Sequence, residues 1–374
     1  MKIVAKKKDL IQHLSVVEKA MPRNSLVPSA VGVLVEAKDA LTFTATNLSI
    51  SIKADAVEAD IWEEGSLVLP PKFVDLVRVL PGEMVSMQPV EQREKETKLH
   101  IKSGEGEFTL YGRNSEDFPQ VLSDAKQWEQ VSFPGNKFKN ILRKTLFAAV
   151  QDQESELSPV FRGLNIKANN DEILFIASDT FRLARMKVKI ESEEFEDFSI
   201  IVPVKSLELL EKIIVDEDDV VCHFNKKDFR VKYKNYMFGT QLLVNGEYPN
   251  FDSIFPDSSQ EQITVNSKEL RDTIIRALLI NEKNNVVYLS AQDKLSVRTV
   301  SEIGDMNEKL EITKTGEGFD AICLNGSFLL DPLKIIPNKE IKIEFNGPYG
   351  PVVINENEYQ YLLLPIKVEK RDTV

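Results

Sequence analysis

The chain has little of what catalytic and metal centres are usually built from. Its 374 residues include two cysteines, Cys222 and Cys323, and three histidines, His13, His100 and His223. The cysteines stand in apolar runs, "VVCHF" and "AICL", far apart and outside any C-x-x-C pair. They read as small buried core residues in a reducing compartment. The histidines lack metal-ligand spacing, which excludes an ordinary zinc site, and no motif calls for a cofactor. No apolar run reaches the ~20 residues that span a bilayer. The opening "MKIVAKKKDL" carries lysines without the apolar core of a signal peptide, so a cytoplasmic location is expected. A basic excess is missing too. Forty-seven basic residues against 59 acidic ones give −12, which is not the balance of a protein that coats nucleic acid.

What the chain does have is a globular composition, 42% hydrophobic and 28% charged, at a length that predicts two or three domains. It also repeats itself. A helix pattern running into an extended segment recurs as "PPKFVDLVRVLPGEMVSMQ", "PVKSLELLEKIIVDEDDVVCHF" and "NGSFLLDPLKIIPNKEIKIEF", with Pro70, Pro203 and Asn325 at the helix entries. Upstream of each lies a second helix pattern: "KDLIQHLSVVEKAM", "NKFKNILRKTLFAAV" and "SKELRDTIIRALLI". A pair of β-like runs follows each of these. Phe43 and Phe175 are 132 positions apart and Pro70 and Pro203 are 133 apart, while the third copy is shorter. The expected fold is therefore α+β: three modules over 1–126, 127–257 and 258–374, each with two helices packed on antiparallel sheets. Asn47, Asp179 and Asp293 fall at equivalent strand turns. A catalytic pair of Asp179 and Asp293 is one reading of them. Asx residues bonding their own turn backbone is the other, and the sequence favours it.

The helix patterns together hold sixteen basic residues against nine acidic ones, so the strands and loops carry the negative charge. "NKFKNILRKTL" has four basic residues and no acid. Helices sharing one side would give a positive lining for a polyanion, held by phosphate contacts without sequence readout.

Several motifs carry a resemblance. "EGSLVLPPKFVDLVRVLP", "SDTFRLA", "LLVNGEYPNFDSIFP", "FNGPYGPVVI" and "YLLLPIKV" occur in the order seen in the bacterial sliding clamp, the beta subunit of DNA polymerase III, and span nearly the whole chain. The resemblance implies a head-to-tail homodimer closed as a ring around duplex DNA. The ring would be non-catalytic and would tether polymerase subunits, the clamp loader and repair proteins through short apolar peptides. An accessory paralogue for repair, plasmid or phage replication is the alternative.

The resemblance also implies where the sites lie. The partner-peptide pocket falls on Phe161, Ser178, Thr180, Phe181, Arg182, Leu183, Pro249, Ile254, Tyr349, Pro351, Leu362, Leu363, Leu364, Pro365, Ile366 and Lys367, with Arg182 and Lys367 as its rim. DNA-facing positions are Arg23, Lys72, Arg78, Lys137, Lys139, Arg143, Lys144, Lys205, Lys212, Arg271, Arg276 and Lys334. The ring seam falls on Phe108 and Leu110 against Leu278 and Leu279. The chain departs from the family pattern at Thr180 and Phe181, where Gly or Ser and then His are usual. It departs again at Asn24, Ser158 and Glu105, and in a tail at 369–374. Glu105 predicts poor mixing with an ordinary clamp.

Overall fold

Residues 1–22, 27–92, 96–122, 128–152, 155–169, 172–189, 197–256 and 258–367 are described in a computed structural model. Among them are six α-helices: α1 (Lys7–Val17), α2 (Lys72–Val79), α3 (Gly135–Thr145), α4 (Val204–Glu211), α5 (Ser267–Ile280) and α6 (Gly326–Ile335). They fall where the repeated patterns predict, two to a repeat.

The helices form because apolar residues recur at helical spacing, and asparagine side chains close the N-termini of two of them. In α1 the buried set is Leu10, His13, Leu14 and Val17; in α5 it includes Leu270, Thr273, Ile274 and Ala277. Both sets follow an i, i+3, i+4, i+7 stripe. Asn325 caps α6 as its position predicts, its side chain accepting from the amides of Ser327 (3.0 Å) and Phe328 (3.3 Å). Asn266 does the same for α5 through Lys268 and Glu269, both at 3.1 Å. These side chains satisfy amides that the helix itself leaves unpaired.

The chain forms two compact units, Met1–Lys139 with Lys205–Leu242, and Asn140–Val204 with Leu243–Val374. The first holds a 13-stranded sheet and the second a 12-stranded sheet. In the first, Tyr236–Gln241 lies antiparallel beside Ile50–Val57 and joins strands from the first two repeats. In the second, Arg182–Lys189 lies antiparallel beside Tyr359–Leu363 and joins strands from the second and third. Phe43 and Phe73 are fully buried in the first unit, Phe175 and Tyr361 in the second.

Both joints carry the same two-residue turn. Asn47 Oδ1 accepts the amides of Ser49 (3.0 Å) and Ile50 (2.8 Å). Asp179 Oδ1 accepts those of Phe181 and Arg182, both at 3.0 Å. The expected turn role of these Asx residues is what the fold shows. Asp293 lies in a turn closed by the Gln292 amide on the Lys294 carbonyl (3.3 Å) and makes no side-chain hydrogen bond among the described residues. The turns place Leu48 at φ +75° and Thr180 at φ +76°, a region that costs any residue with a Cβ.

Candidate functional site

The motifs "SDTFRLA" and "YLLLPIKV" meet as neighbouring strands of the second unit. Arg182 pairs with Leu363 and Leu183 with Leu362, and on the far side Val352 and Val353 pair with the same two leucines. Successive strand residues point to opposite faces, so this register sorts the side chains. Leu183, Leu362 and Val353 form one apolar cluster with Ile176, against which Ile254, Tyr248, Phe251, Phe255 and Leu364 pack. One step toward the turn, the Leu364 amide donates to the Phe181 carbonyl (2.9 Å). Phe181 and Tyr349 stand well exposed at 60% and 68%. One step the other way, Arg185 Nε donates to Gln360 Oε1 (2.7 Å) and Gln360 Nε2 to Asn355 Oδ1 (2.8 Å). The face thus grades from an aromatic lip through an aliphatic floor to a polar ladder.

Phe161 belongs to an adjoining apolar cluster with Val150, Val160 and Ile201. Tyr248 and Phe251 pack against both clusters and so link them. Phe161 and Tyr248 meet edge to face, ring centres 5.8 Å apart. Pro249, Ile366 and Lys367 are exposed and Pro351 and Pro365 are half-buried. The Ile366 amide donates to the Cys323 carbonyl (2.8 Å), which ties the end of the strand down. Ser178 is buried and spent on the turn: its hydroxyl donates to the Arg182 carbonyl (2.8 Å) and accepts the Thr180 amide (3.1 Å).

Two expected groove residues face the other way. Arg182 is 8% exposed. Its guanidinium pairs with Asp179 Oδ2 (2.9 Å) and Asp331 Oδ2 (2.6 Å), and lies 4.1 Å from the Phe328 ring centre. The rim role expected for it is therefore corrected: Arg182 is an internal brace, placed there by the same alternation that puts Leu183 on the groove side. Leu363 shares the Arg182 face and is buried. Tyr248, Phe251, Phe255 and Arg185 are groove residues that the sequence reading left out, although "YPNFDSIF" contains the first three. Arg185 lies 3.5 Å from the Phe255 ring centre.

The basic helix residues divide. Lys205 and Lys212 are exposed and without an ion pair among the described residues, Arg143 is exposed, and Lys137 is half-buried. Others are held by neighbours: Lys72 by Asp75 (3.1 Å), Arg271 by Asp272 (3.1 Å) and Lys334 by Asp331 (3.1 Å). Arg78 pairs with Glu18, and Lys139 donates to the Ile214 carbonyl (2.7 Å). Arg276 Nε donates to Glu308 (3.0 Å), and this bond holds the Glu308 carboxyl below its ordinary range. Lys144 is the clearest correction. Its ammonium is buried against Glu356 at 2.7 Å and lies 5.2 Å from the Tyr359 ring centre, so it faces no solvent and no polyanion. It falls on the inner face of α3 beside buried Leu142 and Thr145. Arg23, Asn24 and the 369–374 tail lie outside the described residues.

At the expected seam, Phe108 and Leu110 are half-buried on the Gly106–Arg113 strand. That strand pairs along its length with Glu96–Ser103 but touches Gly65–Leu69 only at Arg113, so most of its other edge is unpaired among the described residues. Leu279 is 69% exposed on α5, with Leu278 half-buried beside it.

Cys222 and Cys323 are free and buried; burial pushes the Cys323 thiol up to about 11 and Cys222 higher still, which leaves both unreactive. No cluster of metal-ligating side chains occurs among the described residues, and none of their helices is long and apolar enough to cross a membrane.

Three family models match the chain in order: the DNA polymerase III beta subunit N-terminal domain over 1–122, its central domain over 132–250 and its C-terminal domain over 252–367. The beta sliding clamp of Bacillus subtilis is 31% identical over 386 aligned positions, covering 98% of this chain and all of the relative. The beta sliding clamp of Staphylococcus aureus is 30% identical, covering 98% and 99%. The crystal structure of the Bacillus subtilis DNA polymerase sliding clamp matches with a TM-score of 0.92 at 30% identity, covering 99% of this chain and 100% of that one.

Proposed function

The chain belongs to the DNA polymerase III beta subunit family, and from that premise we propose that it closes as a head-to-tail homodimer into a ring around duplex DNA. It is a sliding clamp, a non-catalytic processivity factor. The observation that carries the reading is the ordered match of all three domains over the full length. Three modules, 1–126, 127–257 and 258–374, supply the six α-helices found among the described residues, twelve of them in the ring.

A ring holds DNA by topology, so its phosphate contacts need only be weak, and weak contacts permit sliding. The exposed Lys205, Lys212 and Arg143, with Lys137, are the residues we place toward the phosphates. Arg23, Lys72, Arg78, Lys139, Arg271, Arg276 and Lys334 are proposed as a secondary field, the described ones weakened by the partners that hold them. The apolar face built on Leu183, Leu362 and Leu364 takes the client peptide, its floor accepting Leu or Phe anchors. Clients on this reading are polymerase subunits, the clamp loader and repair proteins, met in the cytoplasm. The open edge of the Gly106–Arg113 strand, with Phe108 and Leu110, closes the ring against Leu278 and Leu279 of a second copy.

Native mass spectrometry tests ring closure. The wild type should run as a dimer of the 42.4 kDa chain. Leu279→Asp, placed at an exposed site, should give folded monomers. A monomeric wild type at micromolar concentration would overturn the reading.

A further inference from the structure

Two carboxylates behind the groove each use both of their oxygens. Asp179 Oδ1 accepts the amides of Phe181 and Arg182, and its Oδ2 accepts Arg182 Nε (2.9 Å). Asp331 Oδ2 accepts a second nitrogen of Arg182 (2.6 Å), and its Oδ1 accepts the Lys334 ammonium (3.1 Å). An unbroken chain of charge-assisted hydrogen bonds therefore runs from the turn that carries Phe181 to Lys334 on α6. It passes through the interior and comes out again. The Arg182 side chain is 8% exposed, Asp331 26% and Lys334 54%.

The turn depends on this chain. Thr180 sits at φ +76°, and a residue with a Cβ stays there only where its surroundings fix it. Asp179 holds the two amides that follow Thr180, Arg182 holds Asp179, and Asp331 holds Arg182 with its guanidinium stacked on Phe328. Asp331 is itself divided, because a buried guanidinium and an exposed ammonium share its one charge. Lys334 has two arrangements open to it, on Asp331 or on another anion. When it takes the second, the whole Asp331 carboxylate falls to Arg182, whose planar fork suits two oxygens at once.

We propose that Asp331 is a positioning residue of the client groove, and that Lys334 regulates it: a DNA phosphate that draws Lys334 away tightens the hold on Arg182 and so steadies the lip at Phe181. The inference rests on the clamp reading, which places Lys334 toward DNA and the peptide in the groove. Asp331 touches neither ligand and acts through Arg182 and Asp179. A lip already held in place costs less to order when a peptide binds, so clients bind more tightly to the DNA-bound form. Linkage makes the effect mutual, with a bound client loosening Lys334 from Asp331 and favouring its phosphate contact.

The test is fluorescence anisotropy of the full chain with a labelled Gly-Ser-Leu-Gly-Phe-Ser-Gly peptide, without DNA and on a nicked circular duplex at one ionic strength. Without DNA, Lys334→Met should bind the peptide about twofold to fivefold more tightly than wild type, the range that an exposed ion pair is worth. Its unfolding midpoint should stay at the wild-type value. Loading onto the circle should tighten wild type by a similar factor and leave Lys334→Met where it was. Asp331→Asn should weaken the peptide and remove the response to DNA. Wild-type affinity in Lys334→Met, or an Asp331→Asn chain that still tightens on DNA, would overturn the proposal. Retention on the circle with unchanged peptide affinity would overturn it and leave the clamp reading standing. The Lys334→Met comparison uses no DNA, so it decides the coupling whatever the ring does.

Discussion

Replacing Glu356 by Leu should destabilise the second unit far more than deleting any exposed carboxylate. The Lys144 and Glu356 side chains are 10% and 8% exposed with their charged atoms 2.7 Å apart. Taking away the carboxylate leaves an ammonium buried against the Tyr359 ring with nothing to balance it. Breaking a buried pair from one side costs about 3–5 kcal/mol, whereas replacing both partners by apolar groups of similar volume is close to neutral. Lys144→Met combined with Glu356→Leu should therefore recover most of the loss. The Lys72–Asp75 pair, 3.1 Å apart and 84% and 58% exposed, supplies the comparison: Asp75→Ala should cost less than about 1 kcal/mol. Both tryptophans, Trp62 and Trp128, lie in the first unit, so intrinsic fluorescence would miss the event. Hydrogen exchange of peptides from Asn140–Val204 across a urea series reads it directly. Glu356→Leu costing no more than Asp75→Ala, or the double variant being weaker than the single one, would refute the reasoning.

Thr180→Gly should raise the unfolding midpoint, because a Cβ at φ +76° costs about 1–2 kcal/mol and the added chain entropy of Gly returns only part of it. A lower midpoint in a urea titration would contradict this. His13 is buried with Nδ1 3.0 Å from the Tyr236 hydroxyl; burial lowers its pKa and Asp9 partly offsets the shift. The unfolded chain therefore takes up the proton first, so stability is complete above about pH 6.5 and falls on acidification. His13→Gln should flatten that slope in fluorescence-monitored unfolding. Phe181→Ala should weaken client peptides about threefold to tenfold in a fluorescence titration, as expected for one lip aromatic; unchanged affinity would remove Phe181 from the groove.

The repeat was legible because a turn, a cap and a strand entry recur at nearly constant spacing, and Asn47, Asp179 and Asn325 do in the fold what their residue types predict. The groove was legible as a set of segments but not as a surface. Motif matching takes Leu362, Leu363 and Leu364 together, whereas a strand can give only alternate residues to one face. Arg182 was misplaced for the same reason. Charge was least legible. A count along the helices sees Lys144 but not Glu356, which comes from 212 positions away, nor Glu308, which reaches Arg276 from a distant strand.

Retention on DNA of defined topology tests the central claim most directly. The protein, loaded onto a nicked circular duplex and passed through a sizing column, should stay with the circle and leave once the circle is linearised by a single cut. Lys144→Met with Glu356→Leu should behave as wild type, and Lys205→Glu with Lys212→Glu should load less well. Equal retention on circular and linear DNA, or none on either, would contradict an encircling clamp.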